Sequence, residues 1–291
     1  MLVRLLILLA VCAAPGLVVP APAQIKPEWT NNHKPFRIVG NLYYVGSEDL
    51  AAYLVTTPQG SILINANLAT SPPQIKANVE ALGFKFADIK ILLNSQAHYD
   101  HAAGTDEIKR LTHAKVEVMQ GDVPLMESGA RKDFYFYNQP EFFFTAVKVD
   151  HVLHDGEQVK LGGTTLTAHL TAGHTLGTTT WTLPITDAGR TYNVLIFGGA
   201  TALEPSNLID NPRYPTQAAD LTRTFQTLHS LPCDIFLGAH GDYFGMKKKY
   251  PLLQPGQPNP FIDPAGYKAY VDDREQVFHK ELAKQTAARN K

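Results

Sequence analysis

Four side chains that can bind a metal ion are crowded into the short segment QAHYDH. They are Gln96, His98, Asp100 and His101. In an extended segment, positions i and i+2 point to the same side, so Gln96 and His98 can reach one ion. A turn of the chain after His98 lets Asp100 and His101 face a second position. The pattern predicts a metal site with two adjacent positions, and the glutamine stands where a further histidine would be expected.

Two more histidines follow apolar strands elsewhere in the chain. His174 follows HLTAG, and His240 follows IFLGA. The ends of core strands are where a rigid scaffold presents functional loops. Imidazole and carboxylate donors that leave one position open for water are typical of a catalytic Zn²⁺ site. Zinc lowers the pKa of its bound water to about 7, so the pattern indicates hydrolytic chemistry.

The segments around these residues have the pattern of an α/β protein. Residues 36–65 contain strand-like runs separated by turn signals, residues 71–83 have a helical pattern, and DIKILLN is a buried strand. The second half repeats this order. VKLGGTTLTAHLTAG, TTTWTLP and YNVLIFGGA are predicted strands, residues 216–230 a helix, DIFLGAH a strand and residues 265–291 a final helix. Strands and helices in this order, twice over, indicate two packed sheets with helices outside.

The composition is that of a globular protein with a full core. Hydrophobic residues make up 44% and charged residues 18%, and the net charge is −1. Because there is no strongly basic surface, we do not expect a nucleic-acid partner. No low-complexity tract divides the chain, so residues 24–291 are predicted to form one domain, which we expect to be a monomer.

The N-terminal residues have the pattern of a secretory signal peptide. Arg4 precedes the apolar run LLILLAVCAA, and A-P-A precedes Gln24 as an A-x-A cleavage site. The run is shorter than the ~20 residues of a membrane span, and the valine before Cys12 is bulkier than lipoprotein signals usually allow. We therefore expect removal of residues 1–23, no span in the mature chain, and a periplasmic or secreted location. The remaining cysteine, Cys233, is interpreted as a small buried residue rather than a nucleophile.

Several stretches of the chain resemble the metallo-β-lactamase superfamily. They are QAHYDHAAG, LHDGEQVKLGGTTLTAHLTAGHTLGTTTW, FGGA and NPRYP. The first stretch is typical of the superfamily, whereas the glycine–histidine segment and the C-terminal NPFIDPAGYKAYV resemble subclass B3 of the β-lactamases. The resemblance covers nearly the whole mature chain. It implies an αββα sandwich with two zinc ions in a groove between the sheet edges.

The resemblance also implies roles for individual residues. The first zinc ion would be held by Gln96, His98 and His174, and the second by Asp100, His101 and His240. In this family a zinc-bound hydroxide attacks the β-lactam carbonyl, and the second zinc stabilises the departing nitrogen. Asp100 would also orient the water, and it is therefore the predicted catalytic residue.

Two positions depart from the common pattern of the subclass. A glutamine at Gln96 is also found in the GOB-type branch, and its amide oxygen is a poorer zinc donor than imidazole, so the first site should bind zinc more weakly. FGGATALEP contains no aspartate, which argues against the thioesterase and phosphodiesterase branches, and no serine for the substrate carboxylate. A hydroxyl from Thr201 and a charge from Arg213 are hypotheses for that contact.

Three functions are compatible with the sequence. A secreted zinc β-lactamase is the first prediction. The alternatives are another hydrolase of the same fold that acts on a lactone or ester, and a non-catalytic zinc-binding protein that kept the fold. The aromatic run DFYFYNQPEFFF, residues 133–144, is interpreted either as a lid over the groove or as a packed loop that covers a sheet edge.

Overall fold

Two β-sheets form the centre of the molecule. The computed structural model describes residues 25–203 and 207–290, so the predicted signal peptide, residues 1–23, lies outside the described residues. Within these ranges, the seven-stranded sheet follows chain order: β1 Phe36–Val39, β2 Leu42–Tyr44, β3 Tyr53–Thr57, β4 Gly60–Ile64, β5 Ile89–Leu93, β6 Lys115–Met119 and β7 His151–Leu153. The five-stranded sheet has the order β12-β11-β10-β9-β8 and contains β8 Gln158–Leu161, β9 Thr164–Leu170, β10 Thr179–Asp187, β11 Arg190–Phe197 and β12 Ile235–Gly238.

Eight α-helices connect or flank the strands of the described ranges. They are α1 Pro27–Thr30, α2 Pro72–Ala81, α3 Tyr99–Ala102, α4 Thr105–Thr112, α5 Val123–Ser128, α6 Gln217–Ser230, α7 Met246–Lys249 and α8 Pro264–Arg289. The helices predicted at 71–83, 216–230 and 265–291 are confirmed as α2, α6 and α8. None of the helices in this part of the chain has the length and apolar character needed to cross a bilayer.

Both sheets are mixed. Strands β1 to β4 are antiparallel neighbours and β4 to β7 are parallel neighbours, while β8 to β11 are antiparallel and β12 joins β11 in parallel. Parallel neighbours need a crossover connection. Helix α2 supplies it between β4 and β5, α4 lies between β5 and β6, and α6 lies between β11 and β12.

The core has two layers, one on each face of the seven-stranded sheet. In β3, Tyr53 and Val55 belong to the cluster between the two sheets, whereas Leu54 belongs to the cluster beneath α2, α4 and α5. This alternation is what a strand buried on both faces requires. Helices α6 and α8 pack on the five-stranded sheet. The predicted αββα sandwich is confirmed.

One predicted strand is divided in two. VKLGGTTLTAHLTAG was expected to be continuous, but Gly162 and Gly163 have φ values of +52° and +88° and form the turn between β8 and β9. A Cβ at Gly162 would also lie 2.3 Å from the hydroxyl oxygen of Thr57. The two glycines are therefore a hairpin turn and not part of a strand.

Candidate metal centre

The loop after β5 is held against the second sheet by buried hydrogen bonds. The indole of Trp181 in β10 donates to the carbonyl of Asn94 at 3.0 Å, and the amide of Thr179 donates to the carbonyl of Ser95 at 2.7 Å. The side-chain oxygen of Asn65 accepts from the amide and the hydroxyl of Ser95, at 2.8 and 2.9 Å. These bonds fix the direction in which the chain leaves β5, and with it the position of the ligand residues that follow.

Two predicted ligands of the first zinc ion meet in space. The Nδ1 atom of His98 lies 3.2 Å from the Nε2 atom of His174, and both side chains are buried. Gln96 is also buried, and its Oε1 atom has no hydrogen-bond partner. An unpaired buried oxygen is costly, so Gln96 has an acceptor to offer to a cation. The structure thus provides two converging imidazoles and one free amide oxygen.

The predicted ligands of the second zinc ion form a compact cluster. One ligand atom from each of Asp100, His101 and His240 lies within 4.8 Å of the others. The Oδ2 atom of Asp100 is 3.4 Å from Nε2 of His101 and 3.5 Å from Nε2 of His240. Helix α3 begins at Tyr99, and this helical turn lets the adjacent Asp100 and His101 face one centre. The turn expected after His98 is therefore the first turn of a helix.

The donor atoms fit a zinc ion. Both ring nitrogens of His101 are buried without a hydrogen-bond partner, which is a cost unless a cation binds there. Burial, opposed by the charge of Asp100, lowers the pKa of His101 to about 3, and burial together with the charge of His98 lowers the pKa of His174 to about 4. Both imidazoles are neutral at pH 7, and a neutral imidazole has a lone pair for the metal.

The other two histidines face carboxylates. At His240 the carboxylates of Asp100 and Asp49 outweigh burial and raise the pKa to about 9. At His98 the carboxylate of Asp133 outweighs burial and raises the pKa above its ordinary value. Because a metal ion binds only the neutral imidazole, zinc would compete with protons at these two positions.

Asp100 carries the negative charge of the cluster. Burial by itself would raise the pKa of Asp100, but the charge of His101 and the hydrogen bond and charge of His240 hold it below its ordinary range. The carboxyl group is therefore ionised at neutral pH. An ionised carboxylate accepts hydrogen bonds and is a regular zinc ligand.

Three of the predicted ligand histidines have a polar neighbour at the ring nitrogen that faces away from the centre. His240 Nδ1 lies 2.9 Å from Asp49 Oδ2, His98 Nε2 lies 3.3 Å from Asp133 Oδ2, and His174 Nδ1 donates to the carbonyl of Thr201 at 2.7 Å. Metal-binding histidines commonly have such partners, which fix the tautomer and the orientation of the ring. Neither aspartate was predicted from the sequence, and Thr201 was predicted only through its hydroxyl.

The aromatic segment, residues 133–144, packs beside the ligand residues. The ring of Phe136 lies 5.1 Å from the ring of His98, in an edge contact, and the ring of Phe142 lies 5.0 Å from that of Tyr99. The aromatic segment therefore forms one wall of the site, which agrees with the expectation that the segment lies at the groove.

The two hypothetical substrate contacts lie beside a predicted ligand and on the aromatic segment. The backbone of Thr201 contacts His174, as described above. The guanidinium carbon of Arg213 lies 3.5 Å from the centroid of the Tyr137 ring, so Arg213 is stacked on the aromatic segment. The structure therefore places Thr201 next to a ligand and Arg213 on the wall.

Known proteins share both the sequence and the fold of the chain. Residues 50–240 match the sequence profile of the metallo-beta-lactamase superfamily. The native FEZ-1 metallo-beta-lactamase from Legionella gormanii is 50% identical, with a TM-score of 0.87, over 92% of this chain and 99% of FEZ-1. The metallo-beta-lactamase GOB-18 from Elizabethkingia meningoseptica is 36% identical, with a TM-score of 0.86, over 93% of this chain and 100% of GOB-18.

A third neighbour is named as a two-zinc enzyme. The class B3 di-zinc metallo-beta-lactamase LRA-12 from an Alaskan soil metagenome is 38% identical, with a TM-score of 0.84, over 90% of this chain and 99% of LRA-12. The sequence match, the αββα fold and the histidine and aspartate cluster agree with one another. The chain belongs to the metallo-beta-lactamase superfamily.

Proposed function

We propose that the chain is a zinc-dependent β-lactamase of subclass B3. The observation that carries the proposal is the pair of ligand groups, one built on His98 and His174 and the other on Asp100, His101 and His240. The two groups are adjacent in the chain, since His98 is two positions before Asp100. Three structural neighbours of the chain are named metallo-beta-lactamases, and one of them is named a class B3 di-zinc enzyme.

The ligand groups define two zinc sites. We assign Gln96, His98 and His174 to the first site, and Asp100, His101 and His240 to the second. When bound, zinc supplies a water of lowered pKa and a Lewis acid. In the overall reaction the water oxygen bonds to the carbonyl carbon of the β-lactam, the carbonyl–nitrogen bond breaks, and the ring nitrogen takes a proton.

Asp100 is the residue placed to orient the reacting water. Its Oδ2 atom faces two histidines, and its side chain is 12% exposed, so the carboxylate borders the open side of the cluster. A carboxylate there can accept a hydrogen bond from the water and fix the direction of its lone pair. Phe136 and Phe142 give the groove an apolar wall, and we keep the Thr201 hydroxyl and the Arg213 charge as candidates for the substrate carboxylate.

The test of this function compares substrates. The purified protein with zinc is expected to open the ring of nitrocefin, a chromogenic β-lactam, and to hydrolyse lactones and simple esters much more slowly. Turnover of a lactone or ester without turnover of nitrocefin would show that the protein is instead a lactone or ester hydrolase of the same fold. Zinc binding without turnover of either class would show a non-catalytic protein.

Gln96 is proposed to make the first site the weaker one. If its amide oxygen limits that site, Gln96→His should raise the zinc affinity of the site by ~10-fold or more. Substitution of residues that contact only the ligands already alters metal affinity by ~10–100-fold. The parent should bind zinc in two separated steps, with the tighter step at the second site. The measurement is the zinc content of each protein, dialysed against a series of buffered free zinc concentrations.

The matched control for this substitution is Gln257→His. Gln257 is exposed, so the change adds a histidine without altering the site. Its zinc-binding curve should equal that of the parent. If the curves of Gln96→His and the parent also superimpose, Gln96 is not a ligand and the first site has another composition.

We further propose that the protein acts outside the cytoplasm as a monomer. The apolar run LLILLAVCAA and the A-x-A site before Gln24 support export with removal of residues 1–23. Cleavage would leave Cys233 as the single cysteine, so the mature chain could form no internal disulfide.

A further inference from the structure

A buried carboxylate joins two loops at the first zinc site. The Oδ2 atom of Asp122 accepts hydrogen bonds from the amide of Ala97 at 2.8 Å and from the hydroxyl of Thr175 at 2.9 Å. Its Oδ1 atom accepts from the amide of Gly177 at 2.8 Å. Asp122 is completely buried. Three donors from two loops converge on this one buried group, so it joins the loops firmly.

The donors that Asp122 binds adjoin the proposed ligands. Ala97 stands between Gln96 and His98 in the chain, and Thr175 directly follows His174. Each of the three first-site ligands is therefore next to a residue that is tied to the same carboxylate. The carboxylate itself binds two backbone amides and one hydroxyl, and so acts on the ligands through their loops.

Two glycines allow this close approach. A Cβ at Gly177 would lie 2.3 Å from the amide nitrogen of Asp122, and a Cβ at Gly121 would lie 2.1 Å from the carbonyl oxygen of Leu176. Both distances are far below van der Waals contact, so the turn Gln120–Asp122 sits directly on the loop that follows the histidine. The loop has no room to move toward the turn, and the hydrogen bonds prevent it from moving away.

We propose that Asp122 is a positioning residue for the first zinc site. It sets the distance between the loop that carries Gln96 and His98 and the loop that carries His174. The inference rests on the proposed zinc function. A site with a weak amide donor gains most from ligands that are already in place, because less free energy is spent on ordering them when the ion binds.

The test removes one hydrogen bond to Asp122, together with the 2.8 Å contact between the hydroxyls of Thr175 and Thr178, and leaves the carboxylate in place. Thr175→Val deletes the hydroxyl that donates to Asp122 while keeping a branched side chain of similar size. We expect zinc affinity at the first site to fall by ~10–100-fold, as for other residues that orient ligands. Affinity at the second site should not change. Thr175→Ser keeps the hydroxyl and should bind both zinc ions like the parent.

The readout is zinc content against free zinc, together with the melting temperature of the metal-free proteins. Substitution of a residue with a merely structural role would lower the melting temperature. It would not lower zinc affinity at the first site while leaving the second site unchanged. The control is Thr112→Val, which removes a buried hydroxyl that donates to the carbonyl of Ile108 at 2.7 Å in α4. This control should lose some stability and keep the zinc-binding curve of the parent.

Asp122→Asn provides a second variant. Because Oδ1 and Oδ2 both accept hydrogen bonds, an amide group in either position turns a donor toward another donor. The same selective loss at the first site is expected. If this variant does not fold, the two Thr175 variants decide the question.

Two results would overturn the inference. One is a zinc-binding curve of Thr175→Val that superimposes on that of the parent. The other is an equal loss in Thr175→Ser, which would trace the effect to packing and not to the hydroxyl. Either result leaves the proposed function intact, provided that the parent binds two zinc ions. A parent that binds no zinc would contradict the function itself.

Discussion

Asp100→Ala is expected to lower kcat by ~100-fold or more, which corresponds to about 2.7 kcal/mol in the activation barrier. The reason is that one carboxylate has two tasks. Its Oδ2 atom lies within 3.5 Å of His101 and His240, so the substitution removes a ligand of the second zinc ion. It also removes the group that orients the water. The measurement is steady-state hydrolysis of nitrocefin at saturating zinc, with circular dichroism to confirm the fold.

The matched control is Asp187→Ala. Asp187 lies at the end of β10 and pairs with Arg37 at 2.7 Å on the surface. An exposed ion pair contributes little to stability, and this one is outside the ligand groups, so kcat should be unchanged. An Asp100→Ala protein that retains kcat within about threefold of the parent would show that the role of Asp100 is misassigned.

The parts of the fold that local sequence patterns determine could be predicted. Of the strands that lead to the proposed ligands, β5 and β12 are apolar runs and are confirmed. Strand β9 is rich in threonine and is only the second half of the predicted strand that Gly162 and Gly163 divide. Helix α2 was recognisable from its prolines in the first turn and its buried Ile75 and Val79. The proposed ligand residues follow such strands closely, so their approximate location could also be predicted.

Elements with weak local signals were missed. The buried face of helix α4 consists of Thr105, Ile108 and Thr112, and most of its other residues are charged. Because only one of the buried residues is apolar, the sequence shows no helical periodicity of apolar residues. Strand β7 has three residues and pairs with β6 through Glu117 and His151. A strand of this length is defined by its neighbour in the sheet and not by its own sequence.

The residues that support the ligands could not be predicted. Asp49 is 191 positions from His240, its hydrogen-bond partner, and Asp133 is far in sequence from His98. In the sequence, Asp49, Asp122 and Asp133 are ordinary aspartates, with no spacing that relates them to the histidines. Their roles depend on contacts that exist only in the folded chain.

Removal of zinc is expected to abolish β-lactam hydrolysis. Both His101 nitrogens and the Gln96 oxygen are buried without a hydrogen-bond partner, so a bound cation is what would satisfy these donor atoms. The chain would then have no group to lower the pKa of water, and a carboxylate alone is a weak activator. Magnesium prefers oxygen ligands and should not replace zinc among these histidines. Serine-directed inhibitors such as clavulanate should have no effect.

The most direct measurement is nitrocefin turnover by one protein preparation through a cycle of metal removal and return. Dialysis against a chelator should reduce the rate to background while the fold is kept, and zinc added after removal of the chelator should restore it. The second site should fill first, and the rate should be followed together with bound zinc. Full nitrocefin turnover in protein shown to be metal-free would contradict the account.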